Sequence, residues 1–172
     1  GIINANDPVI LTLEIVEISF MFIFKLNRKT FEETLKKLQE FENNITSETF
    51  NKIMEILLTD NGSEFKNLST IIEIFPNINI FYCHPYSSFE KGNIENNHEF
   101  IRRVIPKNIS LKPYTQEDYN LLSSHINSLY RRKLDGKCPF DLINDYIPID
   151  VLNKMGLKKI ADKDVNLTPH LL

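Results

Sequence analysis

The chain has 172 residues, 42% of them hydrophobic, with 12 Phe, 8 Pro and 2 Cys, and a formal net charge of −3. A chain of this length buries roughly 70% of its extended surface in one core, its longest apolar stretch is too broken to span a bilayer, and no basic leader with a small-residue cleavage site opens it. Membrane-spanning, disulfide-framed and low-complexity classes are excluded, which leaves a cytoplasmic α/β domain over residues 1–146 followed by an irregular tail over 147–172.

In chain order, Val9-Ile10-Leu11-Thr12-Leu13 and the run from Ile18 to Leu26 are rich in β-branched and aromatic residues and lie close together. They predict antiparallel strands at 9–14 and 18–26, joined through Glu14-Ile15-Val16-Glu17. Thr30 with Glu33 three places on has a capping-box pattern, and Phe31, Leu35, Leu38 and Phe41 recur at helical spacing. Ser47 opens a second helical pattern that runs into the apolar segment Ile56-Leu57-Leu58, a buried strand ending at Asp60 before the turn dipeptide Asn61-Gly62. Leu68, Ile71, Ile72 and Phe75 give a short helix halted by Pro76, and residues 78–82 alternate as a strand. The four strands are expected in one mixed sheet. A Pro/Ser/Gly-rich loop follows, then a helix from about Ile94, on which Ile94, Ile101, Val104 and Ile105 share a face with Glu95 and Arg102 at its border. Pro106 ends it. Thr115 with Asp118 caps a further helix, placed to finish in Arg131-Arg132-Lys133, and Pro139 starts a short last one. Cys83 and Cys138 lack a C-x-x-C partner and read as reduced core residues.

From His84 to Lys137 nine Lys and Arg stand against six Asp and Glu, so the positive balance collects in the second half of the chain, although exposed Lys and Arg are commonly a solvated face. Two motifs carry chemistry: Asp60-Asn61-Gly62-Ser63-Glu64-Phe65 ahead of this region, and Pro85-Tyr86-Ser87-Ser88-Phe89-Glu90-Lys91-Gly92-Asn93-Ile94-Glu95-Asn96 within it. Two carboxylates on separate elements that converge at one sheet edge suit hard cations with oxygen ligands. Read alone, Asp60 is also an ordinary turn residue and Glu95 an ordinary first-turn acid.

Together these motifs resemble those of the integrase-type transposases of bacterial insertion sequences, most closely the IS-thirty family. Asp60 and Glu95 match the second and third catalytic acids of that family, with thirty-four residues between them, and the similarity extends through Ile101-Arg102-Arg103, Ile105-Pro106-Lys107, Arg131-Arg132-Lys133-Leu134 and Cys138-Pro139. The resemblance implies a ribonuclease-H-like mixed sheet flanked by helices. It also implies metal-dependent DNA strand cleavage and transfer, with two Mg²⁺ or Mn²⁺ ions held by three carboxylates. Transposon-end and target DNA are the implied partners, with a homo-oligomer assembled on the DNA. The first acid of the family would precede Gly1, so this chain alone is expected to be inactive; Asp7, before Pro8, falls in a connecting turn. Lys91 and Arg102, flanking Glu95, are candidates for phosphate contacts, Arg103 on the opposite face less so, and Asn61, His84 and His98 for support around the carboxylates. Tyr86 and Phe89 either stack on bases or anchor the loop. The alternative is an inactive integrase-like remnant that only binds DNA or a protein partner.

Overall fold

The computed structural model describes residues 7–59, 67–82 and 97–172. Strand β1 (Val9–Ile15) pairs antiparallel with β2 (Phe20–Leu26), in register from Val9 opposite Leu26 to Ile15 opposite Phe20. The reversal lies at Val16 to Ser19, with Ser19 in the left-handed region at φ 52°. Glu14 is inside β1, which runs one residue beyond the predicted 9–14.

Strand β2 is apolar along nearly its whole length because it has a core on each face. Phe20, Phe22 and Phe24 point to one side, where Phe22 and Phe24 stand 4.9 and 5.5 Å from the ring of Phe41 on helix α1 (Phe31–Ile45). The aromatic chain continues through Phe50 of α2 (Ser47–Ile53) to Phe75. Met21 and Ile23 point the other way, into a cluster with Ile101, Val104 and Ile105 of helix α4 (described over 97–104) and Tyr119, Leu122 and Ile126 of α5 (Gln116–Asn127). Burying large side chains on both faces is the dominant stabilising contribution to such a sheet.

Strand β3 (Ile56–Thr59) runs parallel to β4 (Asn79–Tyr82), and α3 (Leu68–Ile74) lies between them in sequence. Leu57 and Thr59 turn inward, whereas Ile56 and Leu58 stay exposed, as does Phe81 beside Leu58. The four strands occupy the expected positions but do not make the single mixed sheet expected of them. Among the described residues they form two two-stranded ladders, β1–β2 and β3–β4. Leu57 joins the same core as Leu11 and Ile15, so the two pairs share buried apolar surface without sharing backbone hydrogen bonds. Apolar patterning reports which face is buried and does not report which edge is paired.

The outer edge of β2 is closed by side chains instead of a strand. Gln116 donates to the Ile23 carbonyl and accepts from the Lys25 amide (both 2.8 Å), and Ser123 donates to the Met21 carbonyl (2.6 Å). Asn127 accepts from the Met21 amide (2.9 Å) and donates to the Met21 carbonyl (2.8 Å). Gln116, Ser123 and Asn127 recur at helical spacing on one face of α5, so this helix supplies the partners that a neighbouring strand would. The helix begins as its sequence signals require: Thr115 Oγ1 accepts from the Asp118 amide at 3.3 Å and Asp118 accepts from the Thr115 amide at 2.7 Å. Thr115→Ala is expected to lower stability by about 1 kcal/mol in urea titration. At α1 only half the box forms, since Thr30 receives the Glu33 amide while Glu33 reaches the amide of Asn27. Helix α5 ends at Asn127, and Arg132–Leu134 form a separate 3₁₀ turn, so the basic triplet lies beyond the helix and not in its last turn.

Two helices follow, α6 (Pro139–Leu142) and α7 (Ile149–Lys154). The irregular tail expected from 147 onward is instead docked: Ile147, Leu152 and Leu157 are buried in the first core. Gly156, at φ +81°, closes α7 in the left-handed conformation, and a Cβ there would meet Asn120 Nδ2 at 3.0 Å. Beyond it the backbone amides of Lys158, Ile160 and Asn166 donate to Ser124 Oγ, Ser128 Oγ and His125 Nδ1 at 3.0, 2.8 and 3.0 Å. Burial lowers the pKa of His125, which keeps Nδ1 available as an acceptor. Up to Leu157 the segment is held by apolar burial, and beyond it by backbone hydrogen bonds to α5 that hydrophobic periodicity does not register. Among the described residues no helix is long and apolar enough to cross a membrane.

Candidate functional site

Because β3 and β4 are parallel and end in register at Thr59 opposite Tyr82, the chain leaves both strands at one edge of the sheet. Asp60 and Asn61 follow the first exit directly, and Cys83 and His84 follow the second. Open parallel sheets place ligands at such carboxyl ends. Asp60, Asn61, His84, Lys91 and Glu95 themselves lie outside the described residues, as do Cys83, Tyr86 and Phe89. Among the described residues no three His, Cys, Asp or Glu side chains converge on a metal-sized site. Asp7 forms an ion pair with Lys112 at 2.9 Å.

Helix α4 brings the two remaining candidates. His98 Nε2 lies 2.9 Å from Thr12 Oγ1 of β1 and is half-buried. Arg102 is exposed on the surface beside Glu99 and Arg103. Arg103 and Arg131 place their guanidinium carbons 5.1 and 4.6 Å from the ring centre of Phe100, so aromatic and basic groups alternate around this helix. Arg102 and Arg103 thus share one exposed surface, although the helical wheel sets them on different faces.

Asn97 and Glu14, which the sequence did not single out, meet Arg131 beside the described part of α4. The buried Asn97 donates from Nδ2 to Glu14 Oε1 at 3.0 Å and accepts at Oδ1 from Arg131 Nη2 at 3.0 Å. Arg131 also donates to the Ile126 carbonyl at 3.1 Å, the role expected of a cation at a helix C-terminus, though from five residues on. Burial pushes the Glu14 carboxyl up to about 7, against the opposing pull of Lys133 and Arg131, and burial lowers the pKa of both cations. Glu14 is an acid raised from 4.5, so the folded chain binds its proton more tightly than the unfolded chain. Stability from this group is full below about pH 4.5 and is lost as pH rises through about 7. Glu14→Gln is therefore expected to gain about 2–3 kcal/mol over the unaltered chain at pH 8 and little at pH 4, read by urea unfolding at both. A pH-independent difference would show that the carboxyl is not so perturbed. Cys138 is fully buried and reduced, as read from the sequence.

No protein-family model matches the chain. Among curated proteins it is 30% identical over 132 residues, 74% of its own length, to the "Probable transposase for insertion-like sequence element IS1161" of Streptococcus salivarius, covering 33% of that protein. It is 32% identical over 66 residues, 38% of the chain and 17% of the relative, to the transposase InsI for insertion sequence element IS30A of Escherichia coli strain K12. It is 29% identical over 82 residues, 48% of the chain and 25% of the relative, to the transposase for insertion sequence element IS4351 of Bacteroides fragilis. The chain spans about a third of the length of the first of these and less of the others. With such relatives, the chain belongs to the insertion-sequence transposases of the IS30 type.

Proposed function

We propose that this chain is the catalytic portion of an insertion-sequence transposase, a metal-dependent enzyme that cuts and joins DNA on a ribonuclease-H-like framework. The observation that carries the reading is the common exit of β3 and β4, which sends Asp60 and the segment leading to Glu95 from one sheet edge. Two carboxylates are hard oxygen donors of the kind that hold Mg²⁺ or Mn²⁺, and Asp60 and Glu95 are the residues that would do so. Divalent ions, when bound, supply charge neutralisation at the reacting phosphate. The protein's own contribution is to orient those carboxylates and to hold the DNA backbone.

The test is cleavage of end-bearing DNA by the complete protein, with Mg²⁺ or Mn²⁺ and again after chelation. Cleavage that needs the ion supports the reading. Specific DNA binding without cleavage in either ion would instead leave a protein that only binds. For the surface, Lys91→Ala with Arg102→Ala is expected to weaken binding to any DNA sequence and to flatten the slope of log affinity against log salt by about one per lost contact. An unaltered slope in filter-binding titrations would remove both residues from the interface.

A further inference from the structure

We infer that Arg103 is a phosphate-contacting residue for duplex DNA and that the ring of Phe100 positions it. This rests on the chain acting on DNA. The guanidinium carbon of Arg103 stands 5.1 Å from the centre of the Phe100 ring, three positions earlier on α4. Glu99 lies four positions before Arg103, a spacing that favours ion pairs along a helix, yet no ion pair joins these two described side chains. A guanidinium over an aromatic face spends no N–H on it, so its donors stay available for an acceptor. Arg131 lies against the same ring at 4.6 Å and is anchored to the Asn97 side chain and the Ile126 carbonyl, at 3.0 and 3.1 Å. With two guanidinium groups on it and half of its surface buried, the ring is no platform for a stacked base. The acceptor that suits the exposed Arg103 is a phosphate oxygen.

The surroundings carry the charge that such a ligand needs. From Glu99 to Lys107 three cations stand against one acid, in a chain whose net charge is −3. Arg102 and Lys107 are exposed, and among the described residues neither is in an ion pair. Lysines elsewhere are engaged: Lys37, Lys112, Lys154 and Lys159 each pair with a carboxylate. The buried Ile101, Val104 and Ile105 fasten this part of α4 to the core, so the cations project from a fixed base. An arginine that grips a phosphate loses rotamer freedom, and the ring has removed part of that freedom beforehand. Phe100 thus raises affinity without touching the DNA. Phosphate contacts carry no sequence information, so the gain applies to any duplex.

The test is filter binding of the complete protein to a duplex of arbitrary sequence over a range of salt, with folding followed by circular dichroism. Arg103→Ala is expected to weaken binding about eightfold at roughly 0.1 M salt and to flatten the slope of log affinity against log salt by about one. Phe100→Leu keeps the charge and an apolar side chain but removes the ring. It is expected to weaken binding about two- to fivefold with the slope unaltered, and to add nothing in the Arg103→Ala background. Phe100→Tyr, which keeps the ring, is expected to bind as the unaltered protein does. If Phe100→Leu does not fold, Arg103→Lys is read in its place: it keeps the charge and hence the slope, and it loses affinity because an ammonium lacks the planar fork. An unaltered slope for Arg103→Ala overturns the inference; flattening by Lys91→Ala with Arg102→Ala in the same titration leaves the DNA reading standing. Equal weakening by Phe100→Leu with and without Arg103 shows that the ring serves the fold alone and overturns its positioning role. A complete protein that binds no duplex removes the DNA reading and the inference with it.

Discussion

Asn127→Ala is expected to cost about 3–4 kcal/mol of folding stability, a large share of the total for a domain of this size. Asn127 is fully buried, and its amide serves both backbone groups of Met21 as well as the Ser123 hydroxyl, at 2.8 to 3.1 Å. Truncation orphans the Met21 amide in a dry site, weakens the support of its carbonyl and opens a small void beside Ile126. The carbonyl keeps the Ser123 hydroxyl, so the loss stops short of two full desolvation penalties. Asn127→Asp should be worse at neutral pH, because an ionised carboxylate can accept from the Met21 amide but repels its carbonyl. Urea unfolding at pH 7 measures both. A loss under about 1 kcal/mol for the alanine variant would mean that water replaces the amide and that the edge of β2 is not closed by α5 in solution.

That edge also shows what the sequence does and does not reveal. The strands and most helix limits could be read from it because local chemistry sets them. Thr115 and Asp118 cap α5, Pro139 occupies the first turn of α6, and β-branched and aromatic runs mark β1 and β2. Gln116, Ser123 and Asn127 are polar residues that the sequence analysis passed over, and they face a strand. Their role depends on a partner about a hundred positions away, which no local pattern encodes. Glu14 was obscure for the same reason: an acid at a strand end gives no local sign that Asn97 and Arg131 meet it. The docking of residues 158–166 escaped because Ser124, Ser128 and His125 receive them through backbone amides, and backbone groups leave no trace in composition. The candidate carboxylates were the opposite case. Asp60 and Glu95 stand out through the motifs around them, which suggest a chemistry from sequence alone, and both lie outside the described residues.

In the complete protein, Glu95→Gln and Asp60→Asn are each expected to lower metal-dependent strand cleavage by at least about 10²–10³-fold, the scale on which a group that stabilises transition-state charge is missed. Neither replacement should weaken DNA binding, because each removes a negative charge close to a polyanion; affinity should stay level or rise slightly. Folding stability, read beside cleavage, shows whether either side chain also carries a structural role. This combination separates catalysis from the bland readings of the same residues. A turn-forming Asp60 would be replaced by Asn with little consequence, because both side chains make the same local hydrogen bonds at a strand end. A first-turn acid at Glu95 contributes about 0.3–1 kcal/mol through the helix dipole, which would appear in unfolding and not in cleavage. Gel-resolved cleavage of labelled end-bearing DNA, run beside binding and urea titrations of the same preparations, decides between them. Cleavage within about tenfold of the unaltered protein for either variant would remove that carboxylate from the reaction, since a factor of ten corresponds to only about 1.4 kcal/mol. It would also leave the common exit of β3 and β4 as a structural feature of the sheet with no metal to serve.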